Sequence, residues 1–495
     1  MFRIPVTIIS WVFFIYASDW PMLYHDPAHT SFTQDSGPLT KTLAWSYQTG
    51  GAIASYYLHI SSPAVVGTRL YVGSNSRYVY CFDAVNGGAP IWSRQLSDTV
   101  YSSPAVVNGR VYVGTWDGYM YCLNANNGDS LWRYYSGGLI EMGAVVTDDR
   151  VFFGSWYQNY LWCLDAVTGS LIWRGQPETN FMFSHSMPAV DDSLVLMGSS
   201  RFMASPTKFY AFKEYPASPP NGEIAWRCSL GTGVQHQPLS VGNGRVYGSV
   251  DDGYLYCMNE YPPTNQGQVF WSIISSPGGG GDPSCVSIKG DTIYYGHERG
   301  FVYARRASDG GLIWERSSLG GHSGVGAVTI TPSRLYVGTG VETASKKVIC
   351  YDRASGDTIW TYLTGGYVTS TPAVVNGMLF ITSQDGYLYA FGNWIDIKEE
   401  SKQNDPVYLL INPNISRTST KIKYQIDNPG YVSVKIFNTL GNEIRTLVDE
   451  YVNAGRHIIH WDLKDNQKRR VGSGIYLCRF HNKSRNIQSK IVVLD

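Results

Sequence analysis

Charge is scarce in this chain of 495 residues: Asp, Glu, Lys and Arg make up 16% of it, and 39 acidic side chains cancel 39 basic ones. Globular chains usually carry about a quarter charged residues. Zero net charge removes the electrostatic drive toward a polyanion, so a nucleic-acid partner is not expected. Long apolar runs are missing too. The uncharged stretch Ile4 to Tyr16 falls short of the roughly twenty residues that a membrane-spanning helix needs. There is no Cys-x-x-Cys-His for haem attachment, and no calcium loop of alternating Asp and Asn. No catalytic residue, metal ligand or cofactor is assigned on this basis.

The same N-terminal stretch has another use. Arg3 precedes it, and the small residues Ala17 and Ser18 follow it, just before Asp19. That order is a secretory signal over residues 1–18, which leaves no membrane span once removed. No cysteine lies near the cleavage point, so a lipid anchor is not expected. The chain is read as exported, to the cell surface or medium or alternatively the periplasm.

What the chain has in plenty is glycine (52 residues) and aromatics (14%), a mix suited to tight turns and large packed sheet faces. Residues 102–133, SSPAVVNGRVYVGTWDGYMYCLNANNGDSLWR, show how both are used. Asn108-Gly109, Asp117-Gly118 and Asn127-Gly128 are hairpin turns between four short apolar strands. Such a meander cannot bury both faces alone and needs neighbours. Its copies are marked by Trp45, Trp92, Trp132, Trp173, Trp226, Trp271, Trp314 and Trp360, spaced 40 to 53 residues apart. The last copy lacks a fourth strand, whereas the array opens with an orphan fourth strand around Trp45. One strand supplied from each end closes a ring and leaves no open sheet edge there. The expected fold is all-β: an eight-bladed β-propeller over residues 19–394, closed by an N-terminal strand.

Eight cysteines in an exported chain invite a disulfide framework. The repeat argues against it. Cys81, Cys122, Cys163, Cys257 and Cys350 share one repeat position, which Ala211, Ala304 and Ala390 fill in other copies. A position alternating Cys with Ala wants a small buried group, and a free thiol meets that need.

The eightfold pattern, with Ala-x-x-Gly-x-x-x-Trp closing units, resembles the pyrroloquinoline-quinone-type repeat. That repeat occurs in quinoprotein dehydrogenases and in the non-enzymatic outer-membrane assembly factor BamB. The opening DWPMLYHDPAHTSFT is similar to the lead-in of many such propellers. The resemblance implies the fold and leaves the function open, since one fold hosts many activities. The dehydrogenases set an adjacent Cys-Cys pair against their quinone, and no two cysteines are adjacent here. Asp117, Asp252 and Asp385 each precede Gly in the same hairpin and are read as turn residues.

After Gly392 the pattern stops. Residues 395–405 read as a polar linker, and seven short alternating strands over 406–495 suggest a small Ig-like β-sandwich. This part resembles the FlgD-like immunoglobulin-type domain through Asn438 to Arg445, Ala454-Gly455, Trp461-Asp462 and Ser473 to Tyr476. Related domains sort proteins into type IX secretion, so the resemblance implies a secretion machinery as partner.

Function is expected where the copies differ. His59, His185, His236 and His322 fall two to four residues before the Pro or Gly that opens a first strand. Tyr101, Glu141, Gln235 and Tyr367 occupy the same loops in the copies. In a propeller these loops descend into the innermost strands, so the eight side chains are candidates to ring one mouth of the central channel. Polar and aromatic groups converging there suit a protein, peptide or glycan ligand. Their plainer use is loop capping or solvation. The long insertions in the fourth and fifth units are candidates to plug the mouth. The leading expectation is an exported, non-catalytic binding or scaffold module, with a diverged quinoprotein oxidoreductase as the alternative.

Overall fold

The computed structural model describes residues 19–49, 61–147, 149–178, 183, 187–191, 193–199, 206–232, 237–250, 252–264, 266–276, 281, 283–318, 326–340, 346–394, 409–412, 415–416, 419–426, 429–438, 442–482 and 485–493. The proposed signal and linker lie outside them. All regular elements among the described residues are strands, and the chain divides into two compact units, Met1–Ile397 and Lys398–Asp495.

The first unit is an eight-bladed β-propeller of eight four-stranded antiparallel sheets. Blade 2 is typical: Ala105–Val107, Arg110–Gly114, Tyr119–Asn124 and Ser130–Tyr135, numbered here as strands one to four from the axis outward. Blade 1 spans 64–95, blade 3 145–175, blade 4 189–232, blade 5 240–274, blade 6 287–317 and blade 7 329–363. Blade 8 joins Ala373–Val375, Met378–Thr382 and Tyr387–Gly392 to the N-terminal strand Leu43–Gln48, with Trp45 opposite Ala390. The ring therefore closes as the two unmatched ends of the repeat require. Between blades 8 and 1, the Thr371 N–H donates to Ser62 Oγ at 2.9 Å and the Thr382 hydroxyl to the Ser61 carbonyl at 2.7 Å.

Each closing Trp lies directly across from the Cys/Ala position: Cys81 faces Trp92, Cys122 Trp132, Cys163 Trp173, Ala211 Trp226, Cys257 Trp271, Ala304 Trp314 and Cys350 Trp360. All eight cysteines are free and buried. Burial pushes the Cys122, Cys163, Cys257 and Cys350 thiols up to about 12, so they stay protonated and inert. The Trp indoles act between blades. Trp92, Trp132 and Trp271 donate to the carbonyls of Ala125, Ala166 and Ala307 in the next blade's outer turn, at 3.0, 3.2 and 2.9 Å. The turn glycine lies on the indole face; a Cβ on Gly169, whose φ is +72°, would meet Trp132 at 2.5 Å. At the seam the pattern changes. Tyr336 donates to the Pro38 carbonyl at 2.9 Å in place of a blade-8 turn, and the buried Trp360 Nε1 has no partner.

The lead-in also works as a strap across the ring. Inner strands have no neighbour on their axial side, so their N–H groups there need acceptors. Carbonyls of Trp20, Pro21, Pro27, Ala28, Thr30 and Ser31 accept from the N–H groups of Val65, Val106, Val190, Val241, Ile288 and Ile330 at 2.7–2.9 Å. Asp35 accepts from Asn376 N–H at 2.6 Å. Seven of the eight blades are thus tied to one segment.

The second unit is a two-sheet β-sandwich. One sheet holds Leu409–Asn412, Thr420–Ile426 and Gly455–Trp461; the other holds Ile415–Ser416, Arg485–Val493, Gly474–Asn482, Gly430–Asn438 and Glu443–Val452. Ile422, Tyr424, Val434, Ile436, Trp461, Cys478 and Phe480 form its core.

Candidate functional site

The two ends of the propeller axis are unlike. The strap bonds mostly the middle residues of the inner strands, and its Asp19 and Asp35 accept from Gly67 and Asn376 N–H in the turns that follow two of them, so it lies toward the end where those strands leave the axis. Tyr24 and His29 on it are buried, with ring centroids 5.1 Å apart. His29 Nδ1 donates to the Leu239 carbonyl at 2.7 Å, and burial pushes its pKa down to about 4, which keeps the imidazole neutral. His25 packs edge-on against Trp20. Both lead-in histidines are structural.

The opposite end, where loops enter the inner strands, carries the candidate mouth. Val100, Ile140 and Val368 pack under Gly73, Gly114 and Gly338 of the second strands, which fixes the register of their loops. The next residues are Tyr101, Glu141 and Thr369. Tyr101 and Glu141 therefore hold equivalent places on neighbouring blades. Burial, then the Glu141 carboxylate, holds the Tyr101 hydroxyl above its ordinary pKa. The Tyr101 ring stands perpendicular to Trp116 at 5.1 Å. Glu141 itself is buried. Tyr367 is two residues further out; its carbonyl accepts from Gln384 N–H at 2.8 Å and Lys346 lies 5.7 Å from its ring. It shares the loop but not the ring of equivalent positions. His59, His185, Gln235, His236 and His322 lie outside the described residues.

Sequence reasoning missed the turn between the second and third strands, which opens at the same end. Its backbone is tied to the entering loop: Trp116 N–H donates to the Thr99 carbonyl at 3.0 Å, and Trp156 N–H to Leu139 at 2.8 Å. The matching residues on blades 1, 6 and 8 are Asn75, Glu298 and Gln384. Trp116 in GTWDG and Trp156 in GSWYQ were visible as turn residues that vary between copies.

The turn acids are engaged in and around their own turns. Asp385 accepts from Gly365 N–H, Tyr387 N–H and the Tyr389 hydroxyl at 2.8, 3.0 and 2.6 Å, and Asp252 accepts from Tyr254 N–H and the Tyr256 hydroxyl. Asp117 accepts from Thr115 at 2.5 Å. They cap turns, as the Asp-Gly pattern implies. The described insertions of blades 4 and 5 do not plug the mouth. They run along the circumference, where Asn221 and Gln266 bridge to Arg174 and Arg227 on the preceding blade's outer strand. An otherwise open sheet edge is covered there.

Among the described residues no group of three or more His, Cys, Asp or Glu side chains converges as a metal site. The described part of the mouth offers aromatic faces and one buried carboxylate, Glu141.

The family model of the outer membrane protein assembly factor BamB matches residues 38–143 and 318–399. BamB from Moraxella catarrhalis is similar in structure, with a TM-score of 0.56 and 18% identity, over 71% of this chain and 99% of that one. A europium-containing methanol dehydrogenase gives 0.60 and 14%, over 76% and 98%. The quinohemoprotein alcohol dehydrogenase of Comamonas testosteroni gives 0.60 and 16%, over 79% and 82%. No curated protein matches in sequence. At these identities the structural likeness establishes the fold alone, a β-propeller, and the family model matches less than half of the chain.

Proposed function

We propose that this chain is an exported binding or scaffold protein whose propeller takes its ligand at the loop-bearing mouth. Its C-terminal sandwich serves as an Ig-like, FlgD-type domain for secretion sorting or surface attachment. Residues 1–18 act as the signal, 395–405 as the linker and 406–495 as the sorting unit. The observation that carries the binding reading is the strap: its carbonyls occupy the axial N–H groups of six blades and cover one end. The variable aromatic and acidic residues stand at the other end. A rigid closed ring with variable loops on one face is a platform for recognition.

The test places p-benzoylphenylalanine at Tyr101 or, on the strapped end, at Asn108, and irradiates intact cells of the native host. Adducts from position 101 and none from 108 are expected; adducts from 108 alone would reverse the face. Deleting residues from Asp405 onward should mislocalise the protein, and unchanged surface display of the truncated chain would remove the sorting role.

A second reading, a quinoprotein oxidoreductase with diverged contacts, is favoured by the fold likeness to the two dehydrogenases. It requires a quinone absorption band after reconstitution with pyrroloquinoline quinone and calcium, and turnover of an alcohol or sugar.

A further inference from the structure

Blades 2 and 3 carry at the open end a feature that blade 8 lacks. Their two Trp-bearing turns flank the loop Ser136-Gly137-Gly138. A Cβ on Gly118 would come 2.9 Å from the Gly138 carbonyl, and one on Gly138 would come 1.9 Å from the Trp156 carbonyl. The strip between the turns is therefore glycine backbone, and only glycine fits there. Aromatic rings border it. On the blade 2 side stand Trp116, set against Tyr101, and Tyr135, which is 59% exposed and lies 3.3 Å from the Cβ position of Gly118. On the blade 3 side Tyr157, 66% exposed, lies parallel to Trp156 at 5.0 Å with 4° between the rings. Tyr157 has a φ of 71°. A bulky side chain in that conformation is costly and persists where its surroundings enforce it. Blade 8 repeats the construction, with Gly365 and Gly366 against Asp385, but the turn residue is Gln384 and bears no ring.

We infer that this glycine-floored, aromatic-walled groove on blades 2 and 3 binds a neutral polysaccharide, a pyranose stacking on Tyr157. This rests on the proposed use of the mouth end and names the ligand class for it. Flat exposed rings fit the C–H faces of sugars, while the Gln158 amide, which donates to Gly137 at 3.0 Å, and Asp117 supply a polar rim for hydroxyls. The floor presents the backbone groups of Gly138 and Trp156, which suit sugar hydroxyls better than an apolar peptide side chain. Acidic Asp117 and Glu141 disfavour uronic acids.

The test is native affinity electrophoresis of residues 19–495 in gels containing dextran, mixed-linkage β-glucan, glucomannan, galactan or xylan. Retardation is expected in at least one gel. Tyr157→Ala should weaken it at least tenfold, Tyr157→Phe should preserve it, and Gln384→Ala on blade 8 should leave it unchanged. A thermal midpoint for each variant checks folding; Tyr157 is a surface ring, so loss of fold is not expected. Retardation in none of the gels, or retardation untouched by Tyr157→Ala combined with Trp116→Ala, overturns the assignment. Binding of a proline-rich peptide that those variants abolish overturns it in favour of a peptide. Adducts at position 101 alongside failed retardation would sink the glycan and keep the mouth.

Discussion

At the residue scale, the working unit is the Trp with the small residue across from it. Alternation of Cys with Ala in the sequence made that position legible, because only a buried site tolerant of a methyl or a thiol behaves so. The indole N–H was not legible, since its acceptor sits on the next blade. Trp226 and Trp360 are buried to 3% and 7% exposure, but Trp226 Nε1 donates to the Glu260 carbonyl at 2.6 Å while Trp360 Nε1 has no acceptor. Replacing either with Phe removes similar ring volume. Trp226→Phe also loses a hydrogen bond worth about 1 kcal/mol, whereas Trp360→Phe removes a buried unpaired donor. Denaturant midpoints should therefore fall further for Trp226→Phe. Equal losses would show that the indole bonds contribute nothing and that packing alone joins the blades.

At the scale of elements, the strap explains how the inner edge of the ring is completed. Its path was illegible because its bonds are almost wholly backbone to backbone, and a carbonyl leaves no mark in a sequence. Only the side-chain anchors, such as Trp20 and His29, could have hinted at it. Acid should loosen this element. Burial holds the pKa of His29 at about 4 against 6.5 in the unfolded chain, and His297 is lowered likewise. Below pH 6.5 the unfolded state takes up a proton that the folded state refuses. Stability present above pH 6.5 is thus lost as the pH falls toward 4, by up to roughly 3 kcal/mol for each histidine. The thermal midpoint should drop between pH 7.5 and 4.5. His29→Gln, which retains a donor for Leu239, should flatten that drop and slow low-pH exchange of the Val241 and Ile288 amides. An unaltered slope in the variant would take the strap out of the acid response.

For the whole molecule, closure and division make opposite demands on the two ends of the chain. The count of eight blades, the shared last blade and the second unit were legible because they follow from period and from where the period fails. Among the described candidates for the mouth, the equivalence of Tyr101 and Glu141 could be counted from a strand, whereas Trp116, Trp156 and Tyr157 needed the turn beside it in space. Closure pairs Trp45 with Ala390, so the propeller depends on residues far apart in sequence, whereas the sandwich core among the described residues lies within 422–493. Limited proteolysis of residues 19–495 should accordingly give two resistant fragments with their boundary between Trp394 and Leu409, each unfolding in its own transition. Removing residues 398–495 should leave the propeller's transition within a few degrees of its original temperature. Removing residues 19–48 should abolish that transition, because it takes away both the fourth strand of blade 8 and the acceptors for six axial N–H groups. Adding a peptide of residues 19–48 in trans should restore part of it. A single transition lost on either truncation would mean that the two units fold as one cooperative body, and the sandwich would then be part of the propeller's stability as well as a proposed sorting element.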